Sequence, residues 1–290
     1  MTKLILSFVG LFFLSLMALP VSADNTEYKS NIRGVWINNI QYPDTALHIP
    51  SSFVSSDQAR WSVFGTYVNR VRNPKNQFGC QPDCSDAELT LELNLLANDS
   101  YSFSLLPGIQ SLSSRNGGTP VLSGSYLGFR FAKQLKPDLG FSIGGENLVR
   151  LDDSVDLGRN GYIGLSKGME LKVKGFSFPT VFNFGLGSGA FSLFHEPVFR
   201  TGFRSDRKNL IGDANNFDFG AVGSVSVALS EKMSFGVEYS GYGSGIGTSF
   251  KPFSRVPLVG TFYIYDLLSV PDELNFEITP NLFGNFTYSF

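Results

Sequence analysis

The sequence predicts an all-β protein, a closed antiparallel transmembrane β-barrel of about 12 strands, with 10 and 14 as the alternatives. Three observations carry this. Apolar and polar residues alternate with period 2 along much of the chain, which is the strand signature. The polar face of that alternation is built of Gly, Ser, Thr and Asn with an occasional carboxylate. A soluble sandwich would put Lys, Glu and Arg there to meet water. After residue 20, no apolar run reaches the roughly 20 residues that a membrane helix needs.

Composition agrees. Charged residues are 17 %, against roughly 25 % in ordinary soluble domains. Phe alone accounts for 28 of 290 residues and Gly for 31. So many aromatics at so little charge exclude a disordered chain. The near-balance of 23 Lys+Arg against 25 Asp+Glu argues against a nucleic-acid partner.

Met1–Ala23 reads as a signal peptide. Lys3 forms its charged start, Leu4 to Leu19 its apolar run, and Pro20-Val21-Ser22-Ala23 its small-residue end. Asp24 to about Arg60 is a polar leader with Pro43, Pro50 and little rhythm. Three roles fit it: a periplasmic tail, a plug in the lumen, or an extra strand. Within it, Arg33-Gly34-Val35-Trp36 reads as a short strand or as a chance echo of a TIM-barrel opening. No strand–helix alternation follows that would make such a barrel.

The barrel is expected over 61–290. Leu89, Leu91, Leu93 and Leu95 fall on one face, with Glu88, Thr90, Glu92 and Asn94 on the other. Ala97-Asn98-Asp99-Ser100 turns the chain, and Tyr101, Phe103 and Leu105 return. Leu127, Phe129 and Phe131 oppose Tyr126, Gly128 and Arg130. The clearest hairpin turns at Ser230-Glu231-Lys232, between Val225, Val227, Leu229 and Met233, Phe235, Val237, Tyr239. In all, thirteen segments have strand character: 60–71, 87–96, 101–107, 121–132, 139–147, 161–171, 176–186, 190–202, 216–229, 233–243, 245–251, 256–266 and 274–290. A barrel of this kind has an even number of strands, so at least one is not a wall strand. Lipid offers backbone groups no partners, so the strands must pair all the way round.

At the C-terminus, Leu282, Gly284, Phe286, Tyr288 and Phe290 share one face, opposite Asn281, Asn285, Thr287 and Ser289, with Phe283 interrupting. The chain ends on Phe290. Signal peptide, strand rhythm and terminal aromatic together resemble the Gram-negative outer-membrane β-barrels of porin type. That resemblance implies export to the outer membrane, a lipid-facing belt and termini on the periplasmic side. It also implies that Gly284, Phe286, Tyr288 and Phe290 are read by the insertion machinery. Deleting Phe290 is then expected to cut the folded, heat-modifiable yield far below that of Phe235→Ala, a lipid-facing control. Equal yields would make Phe290 one more packing residue, worth about 1.5–3 kcal/mol.

Cys80 and Cys84 are a lone close pair in an exported chain, and are expected to form a disulfide that pins a small loop. A zinc site would need two further ligands, and neither His48 nor His195 is near in sequence. No metal or cofactor is expected. The charged residues assigned to the lumen side are Arg70, Glu88, Glu92, Arg130, Glu146, Arg150, Glu238 and Glu277. They serve either as a constriction with charges set across a channel, or as a salt-bridged filling of a narrow barrel. No catalytic residue is expected. Ser192 and His195 face opposite sides of any strand that holds both, so no base stands beside a nucleophile. Gly241-Tyr242-Gly243-Ser244-Gly245 lacks the following helix that a phosphate loop needs.

The function expected is a narrow porin-like channel for passive diffusion of small solutes. The alternatives are a non-conducting structural or surface-binding barrel, and a transporter of hydrophobic compounds. The second requires a packed lumen, and the third requires Phe side chains inside.

Overall fold

Antiparallel pairing runs unbroken around twelve strands and returns to its start. The computed structural model describes residues 26–31, 34–44, 46, 49–68, 86–112, 122–151, 160–188, 220–240, 243–265 and 281–290. Three short strands come first, β1 (Tyr28–Asn31), β2 (Gly34–Ile37) and β3 (Ile40–Tyr42), in a sheet of their own. Asn38 and Asn39 join β2 to β3 with φ of 49° and 64°. Two successive left-handed residues match the twist of a tight hairpin, and Asn tolerates them better than most side chains.

The wall strands are β4 (Trp61–Val68), β5 (Asp86–Ala97), β6 (Tyr101–Ser111), β7 (Ser123–Lys136), β8 (Leu139–Arg150) and β9 (Tyr162–Val173). Then follow β10 (Phe176–Gly187), β11 (Gly220–Ser230), β12 (Met233–Ser240), β13 (Gly243–Phe250), β14 (Leu258–Tyr265) and β15 (Asn281–Ser289). Each pairs with its sequence neighbours, and β15 pairs with β4 to close the ring. Closure removes every sheet edge.

Twelve of the thirteen expected segments are wall strands. The segment 190–202 lies outside the described residues, and β10 joins β11 without it, Gly187 opposite Gly220. Between β7 and β8 the register breaks, since Leu127 faces Val149 while Phe129 faces Gly145. The extra residues form a bulge around the buried Asn147, which has a φ of 60°.

Short turns at 98–100, 137–138, 174–175 and 231–232, and the loop 251–257, all lie at one end. The start of β4 and the end of β15 are there too, where Trp61 and Phe290 exchange backbone hydrogen bonds of 2.9 and 2.8 Å. The strand ends at Val68, Asp86, Ser111, Ser123, Arg150, Tyr162, Gly187, Gly220, Ser240, Gly243, Tyr265 and Asn281 lie at the other end. Residues 1–23, read from the sequence as a signal peptide, the Cys80–Cys84 pair, His48 and His195 are outside the described residues.

Candidate functional site

The two faces of the wall differ in kind. Outward, Leu89, Phe129, Ile143, Ile163, Phe235, Val237, Ile246, Phe262, Ile264, Phe286 and Tyr288 are exposed on successive strands. Inward, Ser102, Ser104, Ser142, Ser166, Thr180, Asn183, Ser224, Ser234, Ser249, Thr261, Asn285 and Thr287 are buried. An apolar exterior over a polar interior is the inverse of a soluble protein and suits lipid outside.

Glycine has a specific place on the inner face. Four tyrosines sit directly opposite a glycine on the neighbouring strand: Tyr126 on Gly108, Tyr162 on Gly144, Tyr263 on Gly247 and Tyr265 on Gly245. A Cβ on Gly108 would lie 2.3 Å from the Tyr126 ring, and one on Gly247 would lie 2.3 Å from the Tyr263 ring. Each ring lies across the gap that its glycine leaves, covering backbone that would otherwise be bare. Two of the hydroxyls end on carboxylates. Tyr126 donates to Glu88 and shares a 2.6 Å bond with Thr90, and Tyr265 donates to Glu238 at 2.5 Å.

The remaining space, at the short-turn end, is filled by the chain's own N-terminal segment. β1–β3 and residues 43, 44, 46 and 49–56 lie inside the ring. Ser52 N–H donates to Ser166 Oγ on β9 at 2.6 Å, and Ser142 on β8 donates to Ser52 Oγ at 2.8 Å. Ser55 N–H donates to Ser102 Oγ on β6 at 2.9 Å, and Val54 N–H to Gln134 Oε1 on β7 at 3.1 Å. Across the lumen, Ser234 on β12 donates to Pro43 O, while Ser249 on β13 and Thr261 on β14 both donate to Asp44 O. Glycines give way here too. A Cβ on Gly140 would meet Ser52 O at 2.4 Å, and one on Gly168 would meet the Tyr28 ring at 2.5 Å. Tyr28, Val35, Ile37 and Phe53 form a small apolar core with Val181 of β10. Lys29 closes the mouth, 2.9 Å from Asp99 in the β5–β6 turn and 3.3 Å from Glu27.

Arg130 is the hub. Its side chain is 0 % exposed. The guanidinium donates to Ser55 Oγ at 3.1 Å, Ser30 Oγ at 3.1 Å, Ser51 O at 2.8 Å and Phe53 O. All four acceptors belong to the N-terminal segment. Glu92 of β5, equally buried, stands 3.8 Å away. The planar fork of an arginine suits this converging set of oxygens, where a lysine would offer only a point charge.

Asp44 is the buried carboxylate of the segment. It accepts from Ala46 N–H at 3.1 Å and from the Ser51 hydroxyl at 3.2 Å. Burial pushes its carboxyl up to about 6, against the pull of those donors and of Ser226, with Glu238 adding to the rise. A carboxyl raised in the folded state favours folding most below its unfolded value. That contribution is lost as pH rises through about 6. The seated segment is therefore expected to weaken between about pH 4 and about pH 7, by on the order of 3 kcal/mol. Urea titrations read by Trp36 fluorescence in a Trp61→Phe background check this. Asp44→Asn should flatten the slope, and an unchanged slope would assign it to another group.

Of the eight charged residues assigned to the lumen, Arg70 and Glu277 lie outside the described residues. Glu92, Arg130 and Glu238 are buried on the inner face, and Glu88 is partly buried beside Tyr126. Glu146 and Arg150 flank the register break in β8, with Arg150 opposite Tyr126. The structure brings Glu92 to Arg130, Glu88 to Tyr126 and Glu238 to Tyr265. Reading the sequence missed Asp44, Ser51, Ser52 and Ser55, which carry much of the contact with the wall. The signal was present as Ser51-Ser52 and Ser55-Ser56 flanking Phe53-Val54, small hydroxyls that match the serine-rich inner wall. The C-terminal set lies as the alternation requires, with Phe286, Tyr288 and Phe290 outward and Gly284 among them.

The chain is a closed twelve-stranded antiparallel β-barrel with an apolar exterior and a polar interior. No protein-family model matches it, and no curated protein resembles it in sequence. Among solved structures it is similar to the crystal structure of the Acinetobacter baumannii outer membrane protein Omp33. The two are 10 % identical, over 80 % of this chain and 98 % of that one, with a TM-score of 0.35.

Proposed function

We propose that the chain is an outer-membrane barrel that its own N-terminal segment keeps closed, a barrel that passes no solute while the segment is seated. One observation carries this: Arg130, on the inner wall, spends its guanidinium on four oxygens of that segment. A group that would line an open channel is instead a receptor for the closure. Planar-bilayer recording of the refolded full chain tests it. Silence is the expected trace in a preparation shown to be folded by its heat-modifiable mobility. Frequent steps from that same preparation would overturn the closed reading.

A second reading keeps the porin-like channel, opened when the segment leaves. Its support is the nature of much of the contact: beside the Arg130 hub, the Lys29 ion pairs and small apolar clusters around Val181 and Ile49, it is hydrogen bonding by hydroxyls and backbone amides. Such bonds exchange for water at a net cost of about 0.5–1.5 kcal/mol each. A chain lacking residues 26–60 should then conduct small solutes. Transport of hydrophobic compounds finds no such support. Phe129, Phe184, Phe235, Phe250, Phe262 and Phe286 are exposed on the outer face. The inward Phe53, Phe64 and Phe283 are packed in small clusters.

A further inference from the structure

We infer that the N-terminal segment is also the clasp that directs closing of the barrel, acting through Asn31. This goes beyond the closed-lumen reading and does not depend on it. The closing seam joins β4 to β15. At its rim Trp61 and Phe290 exchange two backbone hydrogen bonds. One residue further in, Ser62 faces Ser289, and their hydroxyls meet at 3.1 Å with Ser62 donating. The hydroxyl of Ser62 has one proton to give, and something must aim it across the seam.

Asn31 does so. Its amide donates to Ser62 Oγ at 2.9 Å and to Ala59 O at 3.0 Å. It thus occupies the acceptor side of the Ser62 hydroxyl, leaving the proton to point at Ser289. The same amide grips the chain just ahead of β4. Asn31, Ser62 and Ser289 are all buried, at 0 %, 0 % and 1 % exposure. Ser289 is 227 residues from Ser62, whereas Asn31 is 31. Loop-closure entropy rises with separation, so the local contact forms at lower entropic cost than the seam. The segment can therefore order β4 and its hydroxyl before β15 arrives, presenting a prepared edge.

The test follows seam closure directly. In a Cys80→Ser, Cys84→Ser chain, Thr66→Cys and Asn285→Cys report the seam. They are paired opposite each other away from Asn31. Counting from the bonded pair Trp61–Phe290, theirs is a non-hydrogen-bonded position, where Cα atoms approach closely enough for a disulfide. Refolding into detergent under oxidant is then followed by cross-link formation. Asn31→Ala should slow it about threefold to tenfold, the range for a small number of net hydrogen bonds. Val35→Ala, which thins the apolar core of the segment but touches no seam residue, should not. Ser62→Ala should slow cross-linking like Asn31→Ala, and the two together no further. An Asn31→Ala chain that never cross-links while Val35→Ala does also supports the clasp. Asn31→Ala cross-linking as fast as the parent or as Val35→Ala would overturn it, as would Asn31→Ala and Ser62→Ala multiplying their effects.

Discussion

Arg130→Ala unseats the N-terminal segment. The substitution removes four hydrogen bonds that converge on one side chain, and it takes the guanidinium away from Glu92, which is just as buried. Breaking a buried pair by removing one partner typically costs about 3–5 kcal/mol, because the remaining charge stays out of water. The wall should survive, since its backbone ladder does not pass through the side chain. The expected result is a barrel that keeps its heat-modifiable mobility while Lys29 becomes accessible to trypsin. Arg130→Lys should recover only part of the protection, because an ammonium cannot fork to paired oxygens. Arg130→Ala,Glu92→Gln should recover some of it by removing the stranded charge. Full protection in Arg130→Ala would show that the segment is held by the serine contacts alone. Loss of the folded band would mean that the hub supports the wall itself.

Gly247→Ala should break the wall at the β13–β14 pair. The new Cβ would sit 2.3 Å from Tyr263 Cδ2 and 2.5 Å from the main-chain oxygen of Phe262. The ring can swing aside, but the backbone oxygen cannot without parting two strands. Overpacking costs about 1–3 kcal/mol in ordinary cores, and the backbone clash places this case at the upper end. Gly65→Ala is the control, since its Cβ would meet nothing closer than Glu88 O at 3.7 Å. Urea midpoints of the two variants should differ clearly, with Gly65→Ala near the parent. Gly247→Ala,Tyr263→Ala should be less destabilised than the sum of the two single changes, because removing the ring relieves its contact with the new Cβ. Equal midpoints for Gly247→Ala and Gly65→Ala would mean that neither the Tyr263 ring nor the Phe262 oxygen crowds the Gly247 site.

Much of the wall was legible because period-2 alternation needs only neighbours in sequence. Leu89 to Leu95 and Met233 to Tyr239 announce which side meets lipid without reference to any other strand. Register is different. That Gly247 faces Tyr263, and Gly108 faces Tyr126, depends on pairing between strands, and glycine in isolation reads only as room for curvature. The candidate site was half legible for the same reason. Alternation puts Arg130 inside, but nothing local says that its partners are Ser30, Ser51, Phe53 and Ser55, 75 to 100 residues earlier. The leader itself has no rhythm because most of it pairs with side chains rather than with a regular ladder. Its carbonyls and amides find Ser102, Ser166, Ser234 and Ser249 on the wall, and such partners impose no period.

The segment enters and leaves the lumen by the same end. Tyr28 N–H bonds to Pro137 O and Lys29 reaches Asp99, both in short turns, while Arg60 leads straight into β4 at that rim. It is a cork on a string. Withdrawing it never threads chain through the ring, and the string, residues 57–60, is only a few residues long. A cork so tethered is not lost to diffusion. Its local concentration at the mouth stays on the order of millimolar, far above that of any free competitor in a dilute compartment. Resealing is therefore unimolecular and independent of how much protein the membrane holds. Whatever displaces the cork has to keep holding it out.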